Sequence, residues 1–398
     1  MQNNFIFGEH GTVGYFGKDV VAEHLPKLAA QYGENVLLCY GGGSVKKNGA
    51  YDDVMAVLKD AGKKVTEFSN IPSNPTLDMA YEGIALAKKI HADLILAVGA
   101  GSVMDMSKAI SIGAATDLEI WDNFWIGDTP IDFDPVPLGM VVTMPATGSE
   151  SNGCAVLTNT KTKIKCDKNH PESNAKFALM DPTYTFTVPK RQLLAGTFDI
   201  LSHVMEAYFS EPVQDNLSDD ISEAMMKEII RDLRISIQNP MDWNARSNLM
   251  WVDFVIGSRL IKMGKLTDFQ CHNMEHQLSA YNNCVHGEGL AVLHPVYYRH
   301  IYKAGAAKFA KFAKNVWGLN PSDYETEEAL AAAGIEALAD FIKEVGLPTT
   351  LREIGYTEND DLKTIAESCF ISKGSLKILD FDDISEIYKE ALYSNTPL

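Results

Sequence analysis

Little in this chain points to the extracellular space, a membrane or nucleic acid. Its 398 residues hold six cysteines, Cys39, Cys154, Cys166, Cys271, Cys284 and Cys369, with no CxxC among them. Thiols spread so thinly in a large chain read as buried and reduced rather than as a disulfide framework. No run of about 20 apolar residues occurs, so no transmembrane helix is expected. The opening MQNNFIFGEHGTVGYFG lacks a basic stretch followed by an apolar one, so no secretory signal is read and a cytoplasmic location is expected. Basic residues are outnumbered, 35 Lys and Arg against 53 Asp and Glu, and the net charge of −18 repels phosphate backbones and anionic lipid. Nucleic-acid and membrane partners are therefore not expected. Internal repeats and low-complexity linkers are also missing. What remains is ordinary for a globular protein, 46% hydrophobic and 22% charged, and long enough for two domains of roughly 100–200 residues.

The two halves are patterned differently. In the first, short apolar runs alternate with helical patterns: NVLLCY (35–40), KVTEF (64–68), DLILAV (93–98), LGMVVTM (138–144) and KFALM (176–180). Continuous apolar strands separated by helices such as LDMAYEGIALAKKI indicate a parallel sheet covered on both faces. After Asp181-Pro182 the strand signals stop. Ile221, Met225, Ile229, Leu233 and Ile237 then form a helical stripe, started by Ser218-Asp219-Asp220 and stopped by Asn239-Pro240. A later helix, TEEALAAAGIEALADFIKEVGLP, ends on Gly346 and Pro348. The expected architecture is an α/β domain over residues 1–186 followed by an all-α domain over 187–398, with a ligand site in the cleft between them.

Histidines cluster in the second half. His272 and His276 lie four apart in CHNMEHQLSAYNNCVHG and so share a helix face, and His286 follows a short polar break. Asp199 and His203 repeat the spacing in GTFDILSHVMEAY. Imidazole nitrogens and a carboxylate oxygen suit a divalent transition metal held by side chains from different helices. Spacing alone leaves open both this site and a set of hydrogen-bonded core histidines. Cys271, one residue before His272, points off that face and reads as a packed thiol. His294 and His300 read as structural, and Trp121 and Trp125 as aromatics packed beneath a loop.

Glycine and hydroxyl residues cluster at three strand exits: YGGGSVKK, VGAGSVMDMSK and TMPATGSESN. Gly99, Ala100 and Gly101 would let backbone approach a ligand, leaving the amides from Ser102 onward for a phosphate. A tight turn capped by Ser102 is the other reading. Several such exits on one parallel sheet look like a nucleotide crevice.

These segments together resemble the iron-containing (group III) alcohol dehydrogenases. YGGGSVKKNGAYD, SNPTLD, GAGSVMDMSKAI, PATGSESN, DPTYTFTVP and EHQLSA occur in that family's order across nearly the whole chain. Asp199-x3-His203, His272-x3-His276 and His286-Gly287 carry its metal motif. YGGGSVKKNG and PATGSESN are most similar to its butanol dehydrogenase and NADPH-dependent aldehyde reductase branch. The resemblance implies a dinucleotide-binding α/β domain with an all-α metal-binding domain, in a dehydroquinate synthase-like architecture. It makes Asp199, His203, His272 and His286 the ligands of one divalent metal, Fe²⁺ first and Zn²⁺ second. His276 becomes a residue for proton transfer or cofactor contact. Gly42, Gly43, Ser44, Asn74, Gly101, Ser102, Asp105, Thr143 and Thr147 become cofactor contacts. The family's cofactor lysine falls in TKTKIKC, at Lys163 with Lys161 and Lys165 as alternatives. Where the family usually reads GGGS, this chain has GAGS; Ala100 is a small change provided its φ is negative.

The implied activity is interconversion of primary alcohols and aldehydes by hydride transfer, with the metal as Lewis acid, in a homodimer acting on small molecules. NAD-preferring members carry a carboxylate after the first of these strands. Here Tyr40–Ser44 has none and Lys46 and Lys47 follow, so NADP(H) is expected to be preferred and NAD(H) accepted. Rival readings are a glycerol dehydrogenase-like polyol oxidoreductase using NAD, a dehydroquinate synthase-like lyase, and a nucleotide-binding regulatory protein with a structural metal. The segments around Asp199 to His286 are poor in the basic residues that the lyase's phosphorylated substrate requires.

Overall fold

A computed structural model describes residues 11–393. In chain order its first elements are β1 (Val13–Phe16), α1 (Val20–Ala29), β2 (Asn35–Tyr40), α2 (Ser44–Lys47), α3 (Ala50–Asp60), β3 (Lys64–Phe68), α4 (Leu77–Ile90) and β4 (Leu94–Gly99). Next come α5 (Gly101–Ala114), β5 (Leu138–Val142), β6 (Cys154–Asn159), β7 (Ile164–Asn169) and β8 (Phe177–Met180). The remaining elements are helices: α6 (Lys190–Tyr208), α7 (Leu217–Gln238), α8 (Trp243–Gly257), α9 (Gln270–Asn282), α10 (His286–Ile301), α11 (Ala306–Asn315), α12 (Glu327–Val345), α13 (Leu362–Glu367) and α14 (Phe381–Tyr393). Among the described residues no helix is long and apolar enough to cross a membrane.

Six strands pair in parallel in the order β1-β8-β5-β4-β2-β3, while β6 and β7 form a separate antiparallel hairpin. Side chains alternate across a strand, and both faces here are apolar. Leu37 and Cys39 of β2, with Ile95 and Ala97 of β4, enter one core with Ile84 of α4 and Ile110 of α5. Val36, Leu38, Leu94 and Leu96 enter the other, with Leu25 of α1 and Val54 of α3. The five strands read from sequence are all present; β1 and the β6–β7 hairpin were not anticipated. Val13–Phe16 is short and mostly exposed, and IKCDKN carries too many polar residues to show as a buried strand.

By compactness the chain divides into two units, and the division is not a single cut. Asn239–Ser258 belongs with the unit that ends at Pro189, while Lys190–Gln238 and the chain from Arg259 onward make up the other. This moves α8 out of the all-α part where the sequence reading put it. The physical reason is local. Asp253 accepts hydrogen bonds from Ala146 N and Gly148 N, Ser151 Oγ donates to Phe254 O, and buried Arg246 donates from Nε to Thr185 Oγ1 at 2.9 Å. Gly148 and Gly257 touch backbone to backbone: a Cβ on Gly257 would lie 1.9 Å from Gly148 O. Helical periodicity reveals α8 but not the partner that it buries against.

The helical unit holds α6, α7 and α9 to α14. The predicted stripe lies on α7, capped by Asn216 rather than Ser218: Asn216 Oδ1 accepts from Asp219 N at 2.9 Å, and Ser218 Oγ donates to Met263 O. Thr326 caps the start of α12, and Gly346 ends it at φ 88°.

Gly257→Ala tests the α8 contact. A methyl group facing fixed backbone cannot be absorbed by a side-chain rotation, so the variant should lose about 1–3 kcal/mol in urea unfolding. A loss below about 0.5 kcal/mol would show that the contact yields freely.

Candidate metal centre and strand-exit loops

Helix α6 presents Asp199, His203 and Glu206 at i, i+4 and i+7, which places all three on one face. Asp199, His272 of α9 and His286 at the start of α10 each offer a ligand atom within 4.8 Å of the other two. Asp199 Oδ1 lies 3.5 Å from His272 Nε2 and 3.7 Å from His286 Nε2. His203 stands beside this trio, its ring centroid 4.3 Å from that of His272. Its Nδ1 is 2.9 Å from Asp199 O and 3.1 Å from Asp199 Oδ1. His276, also buried, has its ring centroid 5.4 Å from that of His286.

The outer nitrogens are all taken. His272 Nδ1 is hydrogen-bonded to Glu206 Oε2, and His286 Nδ1 to Glu275 Oε2. With the Nδ1 of His203 held by the main chain, each imidazole is fixed in orientation with Nε2 as the remaining nitrogen. Glu206 also accepts from Cys271 N through Oε1 at 2.8 Å, so one carboxylate caps α9 and orients its histidine. Glu206 and Glu275 are both fully buried. The sequence reading missed them, although their helical spacing, three residues after His203 and after His272, places them beside the ligands.

A buried charge demands a partner. Burial alone would push the Asp199 carboxyl up, yet the adjoining His286, His203 and His272 overcome that and hold it below the usual carboxylate range. Burial would lower the His272 imidazole, but Glu206 and Asp199 raise it to about 10. A cation at His272 Nε2 would meet Asp199 directly, with Glu206 held on the opposite nitrogen of the same ring. Asp199 Oδ1 and His272 Nε2 are buried and make no hydrogen bond. Unsatisfied atoms of this kind within one cluster are what a metal ion would satisfy, and the all N/O donor set fits a divalent transition ion.

Glycines bring the helices this close. A Cβ on Gly287 would sit 2.0 Å from Ala195 O of α6, and one on Gly289 would sit 2.8 Å from the Glu275 side chain of α9. His286 can therefore enter between α6 and α9 only because HGEG has no side chain at those two points.

The strand exits belong to the α/β unit. Gly42 and Gly43 follow β2, and a Cβ on either would meet nothing within 4 Å. Ser44 begins α2 on the exposed side of the same loop, and Lys46 Nζ lies 4.5 Å from the Tyr51 ring centroid. Glu67 accepts from the hydroxyls of Tyr40 and Tyr51 and brings a carboxylate into this neighbourhood. At the second exit Ala100 has φ −103°, so alanine is tolerated, and α5 starts without a side-chain cap. Ser102 Oγ donates to Ser73 O instead of capping, leaving Gly101 and Ser102 to present main chain.

At the third exit Thr143 N donates to Gly99 O at 2.9 Å, tying it to β4. Thr147 packs against Gly101, whose Cβ would lie 2.6 Å from Thr147 Oγ1. Asp105 faces inward: its two oxygens accept from Ser149 Oγ at 2.7 Å and Val156 N at 3.1 Å. Lys108, fully buried, donates to Ser149 Oγ, Asn152 Oδ1 and Cys154 O. Burial works against both charges, raising Asp105 and lowering Lys108, and each partly offsets this for the other. Of the three lysines in TKTKIKC, Lys163 lies exposed at the hairpin turn with φ 54°, and Lys161 pairs with Asp78. Lys165 is buried, and its Nζ donates to Asn74 Oδ1 at 3.0 Å.

The remaining side chains behave as packing. Cys271 is buried and its thiol raised by burial, and all six cysteines are free. Trp125 Nε1 donates to Ala155 O beneath the hairpin. His294 lies 2.6 Å from Ser202 Oγ, lowered by burial to about 3, and His300 pairs with Glu390.

Comparison with known proteins matches this arrangement from both ends. Residues 12–182 fit the family model of iron-containing alcohol dehydrogenase, and residues 193–392 fit that of the Fe-containing alcohol dehydrogenase family, C-terminal. The chain is 37% identical over 390 residues to NADH-dependent butanol dehydrogenase A of Clostridium acetobutylicum, covering 96% of this chain and 97% of that one. It is 32% identical to the NADPH-dependent aldehyde reductase YqhD of Escherichia coli, covering 94% and 96%. The crystal structure of NADH-dependent butanol dehydrogenase A from Thermotoga maritima superposes with a TM-score of 0.91 at 35% identity, covering 98% of each chain. With both halves matched and the metal motif folded into one buried cluster, the chain belongs to the iron-containing alcohol dehydrogenases.

Proposed function

We propose that this protein interconverts primary alcohols and aldehydes by hydride transfer to or from a nicotinamide dinucleotide, NADP(H) being preferred and NAD(H) accepted. The observation that carries the reading is the buried Asp199, with an Oδ1 that makes no hydrogen bond and lies among imidazoles whose other nitrogens are already fixed. When bound there, a divalent metal supplies a Lewis acid for the alcohol or aldehyde oxygen.

Asp199, His203, His272 and His286 would hold that ion, and Glu206 and Glu275 would keep the last two imidazoles aimed. His276 lies next to His286 and is the residue proposed to move or hold a proton beside the substrate oxygen. On the α/β unit, Gly42, Gly43, Ser44, Gly101 and Ser102 would offer backbone to phosphates, with Thr143 and Thr147 as hydroxyl donors. Asp105 is assigned to support this surface, and Lys165 with Asn74 forms the cofactor's basic contact. NADP(H) preference is supported by the absence of acid from Tyr40 to Lys47 and by exposed Lys46 and Lys47. Glu67 works against it, and the named relatives include users of either dinucleotide. A homodimer and a cytoplasmic location complete the proposal; the free thiols support a reducing compartment.

An NADPH-consumption screen over two- to eight-carbon aldehydes tests the function directly. Activity should vanish on metal stripping and return with Fe²⁺ or Zn²⁺ in a protein that stays folded. Unfolding of the stripped protein would instead make the metal structural, and kcat/KM at least tenfold higher with NADH would overturn the cofactor assignment.

Glu206→Gln and Glu275→Gln keep a hydrogen-bond acceptor but lose its charge. Each should weaken metal binding by roughly 10–100-fold in chelator competition. His276→Ala should keep its metal while turnover falls; unchanged turnover removes His276 from the reaction.

Lys165→Met should raise the dinucleotide Kd by about tenfold, the loss of one charge-assisted hydrogen bond. Lys163→Met should change it little. A reversed order would return the contact to Lys163.

A further inference from the structure

We propose that Asp253, on a helix remote in sequence from every strand exit, is a positioning residue for dinucleotide binding, acting through the backbone amides of Ala146 and Gly148, the residues that flank Thr147. This rests on the dinucleotide reading above and adds a residue to it.

Asp253 is 1% exposed, and its two carboxylate oxygens serve one loop: Oδ2 accepts from Ala146 N at 3.0 Å and Oδ1 from Gly148 N at 2.7 Å. Those amides straddle Thr147. The Thr147 side chain bears on Gly101, at the start of α5, with no room there for even a methyl group. Thr147 is thus held between the carboxylate behind its own backbone and the first turn of the helix after β4. Gly148 makes the approach possible: its φ is 62°, and a Cβ there would lie 2.6 Å from both Asp253 O and Gly257 N. The far end of the loop is tied to α8 as well, by the hydrogen bond from Ser151 Oγ to Phe254 O at 2.7 Å.

Lys108 and Asp105 hold Ser149 from a different helix, so each of these neighbouring loop residues has its own buried support. Each Asp253 oxygen accepts from a main-chain amide, Oδ2 from Ala146 N and Oδ1 from Gly148 N. The residue fixes where Thr147 stands, while Thr147 Oγ1 accepts from Ser149 N at 3.3 Å and keeps its O–H as a donor. A buried carboxylate accepting two amides also makes strong hydrogen bonds that few other side chains can copy. Asparagine has the same shape, but its NH₂ group would face one of the two N–H donors and leave that amide unpaired.

The test compares Asp253→Asn with Asp242→Ala. Asp242 caps the start of α8 by accepting from Ala245 N, so its loss weakens the same helix without touching the loop. Two quantities are read on the metal-loaded protein: Kd for NADPH and NADH by quenching of intrinsic fluorescence, and hydrogen exchange of the 143–152 segment without cofactor. Asp253→Asn should raise Kd about tenfold and speed exchange at residues 146–148, while Asp242→Ala does neither. If Asp253→Asn does not fold, Ser151→Ala removes only the second tie and should move both readouts the same way by a smaller factor. A Kd within twofold of the parent, or an equal rise in Asp242→Ala, overturns the inference. A parent protein that binds neither dinucleotide overturns the reading beneath it, and the inference falls with it.

Discussion

The helical unit is organised around the burial of one carboxylate. Removing Asp199 from water costs several kcal/mol unless opposite charge surrounds it, and three imidazoles from α6, α9 and α10 supply the surroundings. Each of those imidazoles must be turned the right way, and the turning is done by further buried acceptors. Glu206 joins α6 to α9, Glu275 joins α9 to α10, and the main chain of Asp199 holds His203. The three helices are therefore cross-linked through the same hydrogen bonds that aim their histidines. Close packing follows as a requirement, which is why Gly287 and Gly289 stand where any side chain would push α10 away.

The α/β unit solves a different problem, which is to expose backbone amides and hydroxyls at the ends of strands without letting the loops drift. Its answer is support from behind. Asp105 and Lys108 hold Ser149, Asp253 holds the peptides around Thr147, and Lys165 joins the β6–β7 hairpin to Asn74. Each is a charged side chain buried against neutral or oppositely charged partners. Buried charges of this kind add little net stability, but they specify geometry.

Much of this was legible beforehand. The five apolar strands stand out because both faces of a parallel sheet are covered, so their sequences run apolar without interruption. The Asp–His cluster stands out because four-residue spacing places Asp199 with His203, and His272 with His276, on shared helix faces. What the pattern could not show was partnership at long range. Helix α8 has ordinary helical periodicity, and nothing in it announces that Asp253 and Gly257 meet a loop more than a hundred residues earlier. Glu206 and Glu275 look like any helical glutamates until the histidines that they orient are folded beside them. The three lysines of TKTKIKC could not be ranked from sequence for a local reason: Lys163 occupies the left-handed turn of a hairpin that the polar pattern does not announce, and the same hairpin carries Lys165 inward to Asn74.

The proposed activity depends on Asp199 and the surrounding imidazoles binding one cation. Anomalous diffraction at the iron edge, from crystals loaded with Fe²⁺ under anaerobic conditions, measures this most directly. A single strong peak is expected in this buried cluster, at bonding distance from Asp199, His203, His272 and His286. A peak elsewhere, no peak in fully loaded protein, or a peak out of reach of Asp199 would contradict it.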